Sequence, residues 1–214
     1  GASMGRSRAT GVASVYPSTG QQTESGFDFT AHIRCLCEDV CSRIPELGHI
    51  DMSRVAVCYS QARKRVRHGL HASLTPLRFE NGAQTGIRRG RQYTCQQLFS
   101  ASGQEILYIL RFYLPRFMDE DFEQKLSTVF HELWHISPHF DGDLRRHRGR
   151  CYMHTHSEAA YNAQMKLLAQ DWLDRHPPHE IYRFLEKNFD QLEGDHGRVL
   201  AIRIPRPKLI PLDS

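Results

Sequence analysis

An α+β fold is the architecture this sequence predicts, and three observations predict it. Four separate stretches carry apolar residues near helical spacing. The strongest β-prone runs, Val55–Tyr59 and Ile106–Phe112, are few and short. The order helix, strands, helix, helix, helix does not alternate as a β-α-β fold does. The chain has 214 residues, which fits one domain with extensions against a prior of roughly 100–200 residues per domain.

The elements follow in chain order. Gly1-Ala2-Ser3 ahead of Met4 has the look of an expression scar, and residues 4–26 are rich in Ser, Thr, Gly and Gln without periodicity. Residues 1–26 are therefore expected to be a scar and a disordered lead-in, with no 7–15-residue apolar core for a secretory signal. The main domain is expected over 27–195, and a strand with a Pro-rich tail over 196–214. Phe27 to Ile44 reads as a helix capped by Asp28 or Thr30 and stopped by Pro45. Val55–Tyr59 reads as a buried strand. Leu74 to Phe79 is a second strand, placed at an edge by Pro76. Gly82 to Gly90 reads as a loop, and Ile106–Phe112 as the strongest strand, ended by Pro115. A helix is expected from Asp119 to Ile136, then a loop over 137–156. Helices follow from Ser157 or Glu158 to Leu173 and from His179 to Leu192. Val199–Ile204 alternates like an edge strand.

Composition excludes several classes. No run approaches the ~20 apolar residues of a membrane-spanning helix, so no membrane is expected. The net charge of +4 is modest and announces no nucleic-acid binder. Cys35, Cys37 and Cys41 lack paired C-x₂-C knuckles, so they read as reduced thiols of a cytoplasmic protein.

The chemistry is carried by His131-Glu132-Leu133-Trp134-His135, an H-E-x-x-H. On a helix, positions i and i+4 stack one turn apart, so both imidazoles reach one zinc ion. Glu132 projects about 100° away, close enough to take a proton from water on the metal. Phe122, Leu126, Val129, Phe130 and Leu133 form an apolar stripe, with Gln124, Thr128, His131 and His135 opposite. A catalytic zinc takes three protein ligands and leaves a fourth position for water. His139 follows Pro138, which should break the helix. Asp141 has the spacing at which metzincins place a third ligand, but Pro138 stands where that turn needs Gly. His154 and His156 precede the next helix.

This arrangement resembles the minimal zincins of the SprT and YgjP-like groups. They carry H-E-L-x-H and, after a loop, H-G-x-x-aromatic or H-S-x-x-aromatic. The matching residues are His131 to His135 and then His156-Ser157-Glu158-Ala159-Ala160-Tyr161. The aromatic comes five residues after the His rather than four, and the four-cysteine ribbon of many SprT proteins is missing. The segment His131–Arg146 also resembles uncharacterised metallopeptidases of phage and bacterial genomes. The motif-level resemblance covers 131–165.

The resemblance implies a zincin-like α+β fold, a small mixed sheet packed on the H-E-x-x-H helix with further helices behind it. It implies a zinc metallopeptidase with one catalytic zinc ion, Glu132 as general base, and a protein or peptide substrate. His131, His135 and His156 are the expected ligands, and His154 and Asp141 are alternatives as ligand or ligand-orienting group. Tyr161 and Tyr152 are candidate oxyanion donors. Folding back over 137–155 would bring the second helix onto the first, with Trp134 or Tyr161 beside the metal. The basic runs Arg63–Arg67, Arg88–Arg91 and Arg145–Arg150 admit a second reading. That reading is a nucleic-acid-associated module with a mainly structural metal, or a DNA-dependent protease. Solvated loops are the preferred account of these runs.

Overall fold

The computed structural model describes residues 12–14, 25–62, 69–146 and 158–212. In chain order the elements are β1 (Val12–Ser14), β2 (Phe27–Asp28), α1 (Phe29–Arg43), β3 (Val55–Gln61), β4 (Ala72–Pro76), β5 (Thr85–Arg88), β6 (Arg91–Cys95) and β7 (Gln97–Phe99). There follow β8 (Tyr108–Leu114), α2 (Phe122–Trp134), α3 (Glu158–Asp174), α4 (His179–Tyr182), α5 (Phe189–His196), β9 (Val199–Leu200) and β10 (Leu209–Pro211). The fold is mixed α+β, with small sheets and several helices.

The central sheet has the order β3-β8-β4, with β3 parallel and β4 antiparallel to β8. Because side chains alternate along a strand, β8 feeds two cores. Tyr108, Leu110, Phe112 and Leu114 enter the main cluster with α1 and α2 residues, and Ile109 enters a smaller cluster behind the sheet. Burial on both sides explains why this segment reads as an almost unbroken apolar run. Its one charge, Arg111, is buried but donates to Ser60 Oγ and to the Ile204 carbonyl, both at 2.9 Å. Phe112 and Phe130 are fully buried, and truncating either to Ala should cost about 3–5 kcal/mol.

Helix α1 starts where Asp28 Oδ1 accepts from the Ala31 amide at 3.0 Å, and Phe27–Asp28 form a short strand parallel to β9 rather than helix. Cys37 and Cys41 lie on its buried face, where burial pushes both thiols up, Cys41 to about 12. The other expected strands shift by a few residues: β4 ends at Pro76, and β8 runs on to Leu114.

Three larger differences have physical causes. The stretch from Gly82 to Gly90 contains β5, which pairs with β6 through the turn at Arg89-Gly90; both turn residues have positive φ, 49° and 76°. This hairpin is mostly exposed and lacks apolar alternation, so it has no sequence signature beyond its turn. It gains a third strand from the tail, where β10 pairs with β6. The expected helix from His179 to Leu192 divides into α4, a 3₁₀ turn at Arg183–Glu186, and α5. Asn188 starts α5 with a capping box, its side chain and Gln191's each bonding the other's backbone amide. Inside the lead-in, β1 pairs parallel with β7, a segment too short to show periodicity.

Among the described residues, no helix is long and apolar enough to cross a membrane.

Candidate metal centre

Helix α2 begins with Asp121 accepting from the Gln124 amide at 2.8 Å. Its apolar stripe, Leu126, Val129, Phe130 and Leu133, is buried against the sheet. That fixes the rotation of the helix and turns Gln124, Thr128 and His131 outward. Residues His131 to Trp134 form its last turn, and His135 is its C-cap. There the ladder tightens: the His135 amide donates to the Glu132 carbonyl and the Ile136 amide to the Leu133 carbonyl, each at 3.2 Å.

The imidazoles of His131 and His135 lie 4.8 Å apart between ring centroids, inclined by 75°. An ion about 2.1 Å from one nitrogen of each ring, at a near-tetrahedral angle, would hold the centroids roughly 5 Å apart. The pair therefore fits a shared zinc. Desolvation lowers both pKa values, His135 to about 4 with help from His131 and the Arg145 guanidinium. Both rings are thus held neutral, the form that can ligate a metal.

Glu132 is only 9% exposed. Burial pushes its carboxyl up to about 8, opposed by a hydrogen bond from the Leu74 amide of β4. Strand geometry aims that amide. The Tyr113 amide donates to the His71 carbonyl and the Leu77 amide to the Leu107 carbonyl, so odd positions of β4 bond β8. The even positions Ala72, Leu74 and Pro76 then turn their backbone away from β8, toward α2.

Helix α3 supplies Tyr161, which is buried with its ring 4.8 Å from that of His131 and 6.1 Å from that of His135. Its hydroxyl donates to the His131 carbonyl at 3.3 Å. This is the carbonyl that the tightened turn deprives of its ordinary i+4 donor.

After the helix, the chain doubles back. Leu144 bridges Ile136, and the Arg145 amide donates to the His135 carbonyl at 2.7 Å. Arg145 then stacks on Trp134, with its Cζ 4.0 Å from the ring centroid and its Nε donating to the Trp134 carbonyl at 2.8 Å. A guanidinium at the C-terminal end of a helix opposes the helix dipole. The turn is pinned by Asp143, whose carboxylate accepts from the amides of Asn81 and Leu144 and from Arg146. Tyr108 of β8 donates to the Asp143 carbonyl at 2.7 Å and accepts from the Gly142 amide at 3.0 Å. Gly142 has φ 89°, and a Cβ there would lie 2.3 Å from Arg78 Cγ, so only glycine fits.

His131 and Glu132 open onto a cleft of about 310 Å³ between residues 69–72, α2 and α3. Of the residues singled out from sequence, the structure brings together His131, Glu132, His135 and Tyr161. His154, His156 and Tyr152 lie outside the described residues, as do Arg63–Arg67 and Arg148–Arg150. Among the described residues, no group of three His, Cys, Asp or Glu side chains could hold a metal ion. Asp141 belongs to the turn: its Oδ1 accepts from the Asp143 amide at 3.0 Å, and it packs on Gly82. No hydrogen bond joins it to either imidazole among the described residues. His139 is exposed just past Pro138. Arg88 and Arg91 flank an exposed hairpin turn, and Arg146 is paired with Asp143.

Sequence reasoning did not find Arg145, which sits in a run read as solvated, or His71, an isolated His that lines the cleft. It also did not find Asp143, which is buried in the turn after α2. None of the three has a sequence signal, because each is defined by what it meets across the fold.

Compared with protein-family models, with curated proteins and with solved structures, the chain matches none of them.

Proposed function

We propose that this protein is a zinc-dependent peptidase of zincin type, hydrolysing peptide bonds in a protein or peptide substrate. The observation that carries the reading is the pairing of two neutral imidazoles, 4.8 Å apart, with a buried carboxyl on the same helix end beside an open cleft. His131 and His135 would hold the ion, with His156 as third ligand and His154 as the alternative. A bound zinc ion would supply Lewis acidity, polarising the substrate carbonyl and acidifying water.

The chain's own residues supply the rest. Glu132 takes the proton of the attacking water on a carboxylate oxygen and delivers it to the departing amine nitrogen. Its ionised form is disfavoured by burial alone, and positive charge held by the two histidines would restore it. The Leu74 amide fixes the carboxyl's orientation. Tyr161 braces the helix end through the His131 carbonyl, so its hydroxyl serves position rather than the oxyanion in this geometry. Arg145 disfavours protonation of His135 and so supports ligation. Buried free thiols at Cys37, Cys41 and Cys58 support a reducing, cytoplasmic setting.

The test is metal analysis combined with casein hydrolysis by the wild type and the Glu132→Gln variant. One equivalent of zinc and loss of hydrolysis in the variant are expected. Bound zinc with unchanged proteolysis would remove Glu132 from its role. His156→Ala should sharply weaken zinc binding, and retention of zinc there would return the third position to the alternatives.

A further inference from the structure

The cleft above His131 and Glu132 has a chemical character of its own. Its lining contains one large apolar side chain, Leu70; the rest are small or polar. Helix α2 contributes Ser127 and Thr128, and α3 contributes Asn162 and Lys166, one turn apart on the same face. Lys166 is exposed and forms no ion pair among the described residues. Its helical neighbours at 162, 163, 169 and 170 are Asn, Ala, Ala and Gln, so no acid is available at i±3 or i±4 to pair with it. From the β4 side, His71 enters the same cleft. Its Nε2 lies 3.5 Å from Glu120 Oε1, while its Nδ1 is buried, with no hydrogen-bond partner among the described residues. Glu120 is therefore engaged, and Glu132 carries the Leu74 amide. A volume of about 310 Å³ is at the lower end of the roughly 300–1,000 Å³ typical of ligand sites. It suits one side chain with its flanking backbone rather than a long segment.

We propose that this cleft selects peptides carrying a carboxylate side chain next to the cleaved bond, with Lys166 as the specificity-determining residue. The proposal rests on the peptidase reading. An ammonium on one wall, with no ion pair among the described residues, beside the amide and hydroxyl groups of Asn162, Ser127 and Thr128, favours a short acidic side chain. The small volume disfavours a bulky one.

The experiment uses the full chain carrying Glu132→Gln, in chelator so that no metal can ligate the peptide. Fluorescence anisotropy is read with labelled alanine hexapeptides, blocked at both ends, whose central residue is Glu, Gln or Lys. The Glu peptide should bind about fivefold more tightly than the Gln peptide, the scale of a partly desolvated charge pair. Lys166→Met should erase that preference, and Lys166→Glu should transfer it to the Lys peptide; Lys166 is exposed, so circular dichroism should be unchanged in both variants. With Glu132 restored and zinc added, Lys166→Glu should shift cleavage in the same direction. Equal binding of the Glu and Gln peptides, no binding of the Glu peptide, or indifference to Lys166→Glu would overturn the proposal. Hydrolysis that survives Glu132→Gln would instead remove the peptidase reading, so the two failures are distinguishable.

Discussion

Helix α2 buries a charged residue near each end, and the two are treated differently. Lys125 and Glu132 are seven residues apart, two turns along nearly the same side of the helix. Burial pulls the Lys125 ammonium down to about 8, against the nearby Asp119, Asp121 and Glu120, and pushes the Glu132 carboxyl up to about 8. Lys125 has its donors placed: Nζ gives hydrogen bonds to the Met118 carbonyl at 3.0 Å and the Lys187 carbonyl at 2.9 Å. It ties the start of α2 to the segment between α4 and α5. Glu132 has one backbone amide for a group with four acceptor positions, and it lines the cleft. A buried charge with its partners in place is a strut. A buried charge with spare capacity beside open space is costly for stability, and that cost is what the proposed chemistry uses.

The largest test of this contrast is Glu132→Gln. Hydrolysis should fall at least ~100-fold, the usual loss when a general base is removed. The same change should stabilise the metal-free protein at pH 8. A carboxyl whose folded pKa is raised contributes stability that is complete below its unfolded value and is lost as pH rises through about 8. Gln cannot ionise, so its advantage should grow by about 2–4 kcal/mol between pH 5 and pH 8 in urea melts. A difference that stays flat with pH would mean the carboxyl is not strained.

Lys125→Met should act in the opposite direction, lowering stability by about 2 kcal/mol because two carbonyls lose their donor. A neutral result would erase the distinction between the two ends. His135 provides a third test, best made in the Glu132→Gln background, where the opposing carboxyl is silent. Its folded pKa is depressed to about 4, so the stability it confers is present above roughly pH 6.5 and is lost as pH falls toward 4. Adding His135→Leu should flatten that acid limb by about 1–2 kcal/mol, discounted because the ring is partly exposed. The smallest effect should come from Tyr161→Phe, about 1 kcal/mol for the bond to the His131 carbonyl. If that variant loses as much activity as Glu132→Gln while its melt is unchanged, the hydroxyl acts on substrate and not on the helix end.

What could be read in advance follows from how local each feature is. The apolar stripe of α2 and the run at Ile106–Phe112 answer to burial, which leaves a periodic trace in the chain. The motif is equally local, since i and i+4 need only a helix. The β5–β6 hairpin left no such trace because its residues stay exposed on both sides. The turn after α2 was legible as part of a loop but not as a structure. Its hold comes from Tyr108, some 35 residues away, and from Asn81, 62 away. His71 likewise becomes notable only when β4 is laid beside α2.

The alternation of backbone direction along β4 has one more consequence. Its outward-facing positions, Ala72, Leu74 and Pro76, form the free margin of the central sheet. Leu74 already gives its amide to Glu132, and Pro76 has no amide to give. An extended strand from another molecule would find carbonyl acceptors along this margin but only the Ala72 amide as a donor, so a regular ladder would lack most of its donors. The proline stands where its missing donor leaves the native sheet intact, yet it closes that sheet to further growth. The same residue thereby guards an exposed edge against self-association.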